Sequence, residues 1–326
     1  MSDMPRAIRF DRTGGPEVLQ LAELAPEAPG AGQVQIRQRA IGVNFIDVYH
    51  RSGLYAVPGL PSGLGGEAAG VVTAVGPDVT EFKPGDRVGY GGSAPGAYAD
   101  ERVLPADRLV PLPDGISDEL GAAILLKGMT VECLVERTVP VRAGDTALVH
   151  AAAGGVGLLL CQWLSNRGVR VIGTVSTEQK AELARAHGAD EIVVGHDDFV
   201  ARVRALTGGR GVRVAYDSVG RTTVPGSLEC LALRGALVAY GNASGKPEPI
   251  DLLTLAKSSL FVTRPVLFHY IAERSELLAS ARAVFDAALS GRLRVHIGQR
   301  FALADAAEAH RALESRKTTG ATVLLP

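Results

Sequence analysis

The 326-residue chain is poor in cysteine: Cys133, Cys161 and Cys230 stand far apart, odd in number, with no C-x-x-C pair. That excludes a disulfide framework and a paired-cysteine zinc site, and it suits a reducing compartment. Charge of one sign is also missing. Lys and Arg number 34 against 35 Asp and Glu, a formal net charge of −1, so no long-range field draws the protein to nucleic acid or an anionic membrane. The first residues, M-S-D-M-P-R-A-I-R-F, hold no apolar signal core. One stretch imitates a membrane span, A-L-V-H-A-A-A-G-G-V-G-L-L-L-C-Q-W-L (147–164), but His150, Gln162 and its glycines make it read as strand, turn and helix. Internal repeats and low-complexity tracts are absent. These absences leave a soluble, cytoplasmic, globular chain long enough for two domains.

What is present divides by texture. Residues 1–122 are rich in Gly and Pro, with short alternating runs such as Q-V-Q-I-R-Q-R-A (33–40) that read as strands, and a firm turn at Lys83-Pro84-Gly85-Asp86. A mainly antiparallel β domain is expected there, with Ser117 as the cap of a helix leaving it. Residues 123–264 alternate apolar strands (145–151, 169–175, 191–194, 212–217, 235–241 and 260–263) with helical stretches, one capped by Thr177 and stopped at Gly188. Such alternation predicts a doubly wound parallel sheet. The tail, 265–326, offers an apolar helix face (Leu277, Leu278, Ala281, Val284, Phe285, Ala288, Leu289), a capping box from Asp305 to Glu308, and a last strand, A-T-V-L-L-P, expected to join the first domain.

The run Ala151-Ala-Ala-Gly154-Gly155-Val156-Gly157 ends a strand and opens a helix. On the dinucleotide fingerprint Ala152 replaces the first glycine. Gly154 lets backbone approach a pyrophosphate, Gly157 lets helix pack on strand, and the helix N-terminus holds the anion. An NAD site places an acid at the end of the second strand, for the ribose hydroxyls. Here that end reads Gly173-Thr174-Val175-Ser176-Thr177, followed by Lys180. Hydroxyls and an ammonium suit a 2′-phosphate, so NADPH is expected, with nearby Glu178 counting against it.

A resemblance covers almost the whole chain. Its carriers are G-G-P-E-V-L-Q (14–20), A-I-G-V-N-F-I-D-V-Y (40–49), R-S-G-L-Y (51–55), P-S-G-L-G-G-E-A-A-G (61–70), L-K-G-M-T (126–130), H-A-A-A-G-G-V-G (150–157), Y-D-S-V-G-R (216–221) and V-T-R-P (262–265). Together they resemble the zinc-free, zeta-crystallin-like quinone oxidoreductases of the medium-chain dehydrogenase/reductase superfamily. The resemblance implies a GroES-like β domain plus a Rossmann domain, α/β in class, with NADPH in the cleft. It also implies a homodimer paired through the Rossmann sheet edge, for which 235–242 is the expected strand.

By position, the resemblance puts Asn44, Asp47 and Tyr49 at the nicotinamide end and Tyr55 at the quinone pocket, as the catalytic set, with Phe45, Ile46 and Val48 on the cofactor beside them. Lys127, Thr130, Cys133, Gly154, Gly155, Val156 and Gly157 follow along the cofactor, and Ser176, Thr177 and Lys180 at the 2′-phosphate. Val219, Tyr240, Gly241, Asn242, Arg264, Pro265, Val266 and Leu267 complete the nucleotide contacts, and Arg316 reaches in from the tail. Two departures stand out: Gly195 replaces a tyrosine near the adenosine, and Cys133 replaces an aromatic.

The most telling absence is a histidine. Zinc relatives carry one directly before the glutamate that is Glu67 here, and this chain has Gly66; Asn44 stands where they have a first cysteine. One carboxylate does not hold catalytic zinc, so no metal is expected and Glu67 is expected to bind backbone or an arginine. Without a metal, alcohol oxidation loses its route to an alkoxide. Quinones are already electrophilic, and their reduction asks the protein only to position and desolvate the reactants, with Tyr49 or Asn44 donating to the developing oxyanion. Reduction of activated alkenes is the alternative, by the same fold and cofactor. His50 is expected to pack locally, and Arg202, Arg204, Arg210 and Arg213, without interleaved aromatics, to form a solvated face rather than an RNA site.

Overall fold

The strand Gln33–Val43 organises the first of two packing units. Its first half alternates, turning Val34, Ile36, Gln38 and Ala40 inward, and its second half is buried on both faces. The computed structural model describes residues 4–195 and 198–326. In that sheet the order is Ile297–Ala302, Ala321–Leu325, Gln33–Val43, Glu67–Val75, Arg87–Gly91 and Val110–Pro111, with Glu101–Pro105 also paired to Gln33–Val43. All pairs are antiparallel except the two tail strands. The tail therefore does return to the β domain, through Thr322 opposite Val43 and Leu324 opposite Ile41. A three-stranded sheet of Gln20–Glu23, Arg6–Phe10 and Ser62–Gly63 adds Ile8 and Phe10 to the same core as Val34, Ile36 and Tyr90. Buried Gln38 is satisfied by donating to the carbonyls of Ala97 (2.8 Å) and Ala99 (2.6 Å) and accepting from Tyr90 Oη.

Local signals hold at several points. Asp86 closes the expected turn by donating its N–H to the Lys83 carbonyl and accepting from Lys83 N, with Gly85 left-handed at φ +95°. Ser117 Oγ accepts from Leu120 N (3.2 Å) and starts the helix Asp118–Glu132. Two expectations in the tail need correction. Asp305 occupies the cap position of Ala306–Glu314, but its side chain makes no capping bond, and Glu308 pairs with Arg311. The short turn Leu303–Asp305 runs straight into that helix, leaving Asp305 at φ −95°, ψ 20° rather than the extended backbone a capping side chain requires. In Arg274–Leu289 the stripe Leu277, Ala281, Val284 and Phe285 is buried. Leu278 and Leu289 fall on its rim and are exposed, while Ser280 and Ala287 are buried on the other flank.

The second unit is a six-stranded parallel sheet ordered Glu191–Val194, Arg170–Val175, Thr146–Val149, Val212–Asp217, Leu231–Ala239, Phe261–Thr263. Numbered along the chain this is 3-2-1-4-5-6, the doubly wound dinucleotide-binding order, which reverses between Thr146–Val149 and Val212–Asp217. Leu148, Ile172, Val193, Ala215 and Leu237 form its core. Residues 235–239 of the 235–241 run form the end of Leu231–Ala239, which lies between two strands, so the open edge beyond it is Phe261–Thr263 instead.

Packing divides the chain into Met1–Met129, Tyr270–Leu289 and Ile297–Pro326 on one side, and Thr130–His269 with Ser290–His296 on the other. The sequence boundaries at 122 and 264 move accordingly. A composition shift does not mark a cut inside the continuous helix Asp118–Glu132. Nor does it show that Gln162 recruits the segment 290–296, by exchanging backbone bonds with the Arg294 carbonyl (3.1 Å) and N–H (2.8 Å).

Candidate active site

Each strand of the parallel sheet ends at residues singled out from the sequence, Gly195 among them after Val194. After Val149 come Gly154, Gly155, Val156 and Gly157, and after Val175 come Ser176, Thr177 and Lys180. Val219 follows Asp217, Tyr240, Gly241 and Asn242 follow Ala239, and Arg264, Pro265, Val266 and Leu267 follow Thr263. Ligands of such sheets bind beyond the carboxyl ends of the strands, where the order reverses.

The glycine turn has the geometry its spacing implies. Ala151 takes a left-handed backbone (φ 51°), Gly154 N donates to the Ala151 carbonyl (2.9 Å), and the helix Gly155–Asn166 starts with no side-chain cap. Its first N–H groups are thus left for an anion. A Cβ on Gly157 would lie 2.2 Å from the Ala151 carbonyl oxygen. Gly157→Ala is therefore expected to cost about 1–3 kcal/mol of stability and to weaken nucleotide binding. Urea unfolding and nucleotide titration check it, and unchanged values for both would refute the role.

At the second strand end Ser176 and Thr177 follow Val175, and the first acid is Glu178 on the next helix. Thr177 Oγ1 accepts from Lys180 N (3.4 Å) as the cap of Glu178–Arg185, and Glu178 turns its carboxylate to Arg185 (2.9 Å). Glu178, the residue that spoke against a 2′-phosphate, points to Arg185 in a solvent-exposed pair. Partial burial lowers the Lys180 pKa from the ordinary lysine value. Gly195 donates its N–H to the Val175 carbonyl (2.9 Å) at φ +90°, a left-handed backbone that a tyrosine adopts only with strain. Arg264 Nη1 donates to the carbonyls of Ala239 (2.9 Å) and Gly241 (3.1 Å). Cys133 is buried with its thiol pushed up to about 11 by desolvation, an inert apolar filler. Thr130 is half-buried near the end of Asp118–Glu132.

Sequence reasoning missed a buried cluster beneath this surface. Asp217 Oδ1 accepts from the N–H groups of Val219 and Gly220 and from Thr223 Oγ1, each at 2.9 Å, and Oδ2 accepts from Ser227 Oγ (2.8 Å). Ser227 spends its proton there, so at 2.9 Å it accepts from His150 Nε2, while His150 Nδ1 meets Thr174 Oγ1. The cluster ties three strand ends together and sets the Val219 turn. Its members lie up to 77 residues apart, and nothing local announces them.

In the β unit, Asn44 caps the helix Phe45–Ser52. Its N–H donates to Asp47 Oδ2 (2.9 Å), and its Nδ2 donates to Glu67 Oε2 (2.8 Å). Glu67 is fully buried; Oε2 also receives Lys127 Nζ (3.0 Å) and Oε1 receives Leu126 N (2.8 Å). Glu67 was expected to bind backbone or an arginine; backbone holds it, and a lysine takes the arginine's part. Lys127 is thereby committed to an ion pair. On the helix, Val48 and Tyr49 are buried and Phe45 and Ile46 half-buried; Tyr49 meets Tyr55 edge to face (5.0 Å between centroids). His50 packs edge-on to Tyr55 (6.3 Å), a local role as expected. Arg316 is exposed, left-handed at φ 58° after Ala306–Glu314.

Two family models match: an alcohol dehydrogenase GroES-like domain over residues 30–114, and a zinc-binding dehydrogenase over 155–281. A quinone oxidoreductase of Pseudomonas aeruginosa is 52% identical over 99% of this chain and all of its own length. The chain belongs to the quinone oxidoreductase family of the medium-chain dehydrogenases/reductases. The Escherichia coli quinone oxidoreductase crystallised with NADPH superposes with a TM-score of 0.96 at 47% identity, covering 98% of this chain and all of the other. A 2-haloacrylate reductase of Burkholderia is 44% identical over 99% of each chain.

The zinc that one model's description names does not fit this family member. All of its candidate donors are replaced or engaged: Asn44 and Lys127 donate to Glu67, and a Cβ at Gly66 would sit 3.0 Å from the Ser93 carbonyl oxygen, with no room for a histidine unless backbone gives. Among the described residues no group of three His, Cys, Asp or Glu is placed to hold a metal ion.

Proposed function

We propose that this chain is an NADPH-dependent quinone oxidoreductase that works without zinc, and that it is cytoplasmic and homodimeric. NADPH supplies a hydride, and a quinone accepts it. One observation carries the metal-free reading: the Lys127 ammonium and the Asn44 amide together occupy the one carboxylate, Glu67, that zinc relatives would offer. The nucleotide goes to the carboxyl ends of the parallel strands. The helix start at Gly154–Gly157 takes the pyrophosphate, and Ser176, Thr177 and Lys180 take the 2′-phosphate. Asn44, Tyr49 and Tyr55 orient the quinone ring; the Asn44 amide is given to Glu67 (2.8 Å) and the Gly42 carbonyl (3.4 Å), so the Tyr49 hydroxyl is the donor that meets the quinone oxygen as charge develops there. Mixing the protein with NADPH and 1,4-benzoquinone or a naphthoquinone should consume the reduced-cofactor absorbance; no turnover with either would sink the reading.

The resemblance to a 2-haloacrylate reductase supports a second reading, reduction of electron-poor alkenes. Comparing kcat/KM for quinones and enones on one preparation separates the two. The dimer is supported by the open sheet edge Phe261–Thr263 and the exposed apolar side chains Phe261, Val262 and Leu233 on and beside it. Sedimentation equilibrium showing only a 34 kDa species would overturn it.

A further inference from the structure

Four buried side chains join the tail helix to the cap of the helix bearing Tyr49. Asp47, Arg51, Tyr98 and His310 are each within about one percent of complete burial. Arg51 forms a two-pronged pair with Glu314 (2.7 and 2.9 Å), donates Nε to the Gly14 carbonyl (3.1 Å), and sets Nη1 3.3 Å from His310 Nδ1. His310 Nε2 lies 3.1 Å from Tyr98 Oη, and Tyr98 Oη lies 3.0 Å from Asp47 Oδ2.

Chemistry gives this chain a direction. A guanidinium only donates, so His310 Nδ1 accepts, and the imidazole is neutral with its proton on Nε2. Burial and the Arg51 charge, which push the His310 pKa down to about 3, agree with that state. Nε2–H then donates to Tyr98 Oη, and the tyrosine hydroxyl donates to Asp47 Oδ2, the same oxygen that accepts the Asn44 N–H. Each link leaves the next group one orientation. Asp47 thus cannot turn away from the cap that fixes where Asn44 Nδ2 and the first helical turn point.

We propose that Tyr98 and His310, aimed by Arg51, are positioning residues for quinone reduction, acting through Asp47 to hold Asn44 and Tyr49 in their reactive geometry. The proposal rests on the quinone reductase reading. The charged and titratable groups acting on Asp47 are Tyr98 from the segment before Glu101–Pro105 and Glu67 and Lys127 from their strand and helix; Arg51 acts on Tyr98, and His310 stands one link away. Burial raises the Asp47 carboxyl to about 7, and the Asn44 N–H, Tyr98 hydroxyl and Lys127 charge oppose that rise.

The test uses Tyr98→Phe, His310→Leu and His310→Gln, assayed with NADPH and 1,4-benzoquinone beside the wild type. Glutamine keeps both an acceptor for Arg51 and a donor for Tyr98, whereas leucine keeps neither. His310→Leu is expected to lower kcat about tenfold, with the NADPH KM within about twofold of wild type, and His310→Gln to restore kcat to within about threefold. In Tyr98→Phe the carboxylate loses a donor, so its pKa rises and the acid limb of the kcat–pH profile moves to higher pH. Variants that melt earlier but keep the wild-type kcat and acid limb would overturn the proposal, as would a glutamine variant as slow as the leucine one. A wild type inert toward the quinone would instead defeat the functional reading, while leaving the expected rise of the Asp47 pKa in Tyr98→Phe open to direct carboxyl titration by NMR.

Discussion

Glu67→Gln is expected to destabilise the protein by about 3–5 kcal/mol, because it leaves the Lys127 ammonium buried without a counter-charge. Both side chains are almost wholly inside, at 0% and 6% exposure, 3.0 Å apart. The glutamine carbonyl still accepts one hydrogen bond, but Glu67 accepts three, from Asn44 Nδ2, Leu126 N and Lys127 Nζ. A neutral amide does not replace the Coulombic part of the last. The check is urea unfolding of Glu67→Gln beside the double variant Glu67→Gln/Lys127→Met. Removing both charges should recover more than half of the loss, since an ion pair replaced by apolar bulk is often near neutral. A single variant as stable as wild type would show that the lysine finds water or another anion, and that the pair is not what fills the metal position.

Lys180→Ala is expected to raise the NADPH dissociation constant about 10–100-fold, the worth of one charge-assisted bond to phosphate, while changing that for NADH less than about twofold. Alanine keeps helix propensity, and the Thr177 cap is made to the Lys180 backbone N–H, so the helix Glu178–Arg185 survives the change. Fluorescence titration with the two nucleotides measures both constants. Equal losses for the two would reduce Lys180 to a surface residue and return Glu178 to consideration. A Glu178→Ala control should leave the ratio unchanged, because that carboxylate is engaged with Arg185.

Much of this was legible from local pattern. A strand, a glycine turn and a helix lie within some twenty consecutive residues, and so do a capping threonine and its helix; backbone sterics and nearest-neighbour hydrogen bonds decide them. The same holds for the absence of an acid after Val175 and of a histidine before Glu67, which are facts of composition at known positions. Where local pattern failed, the missing term was long-range. The apolar run 235–241 looks equally like an edge or an interior strand, and only pairing with Phe261–Thr263 decides which.

The sequence by itself determined the two-domain class, the glycine turn between strand and helix and the replacement of the zinc relatives' histidine by Gly66, because each depends on residues close together in the chain. Tertiary structure alone decided that Arg51, separated from His310 by 259 positions, and Tyr98, separated from it by 212, join in one hydrogen-bonded chain that ends on Asp47. It alone decided, too, that Glu67 is matched by a lysine 60 residues away rather than an arginine. Buried polar partners must satisfy one another wherever the chain brings them, and strand order, which no short window encodes, settles which ones meet.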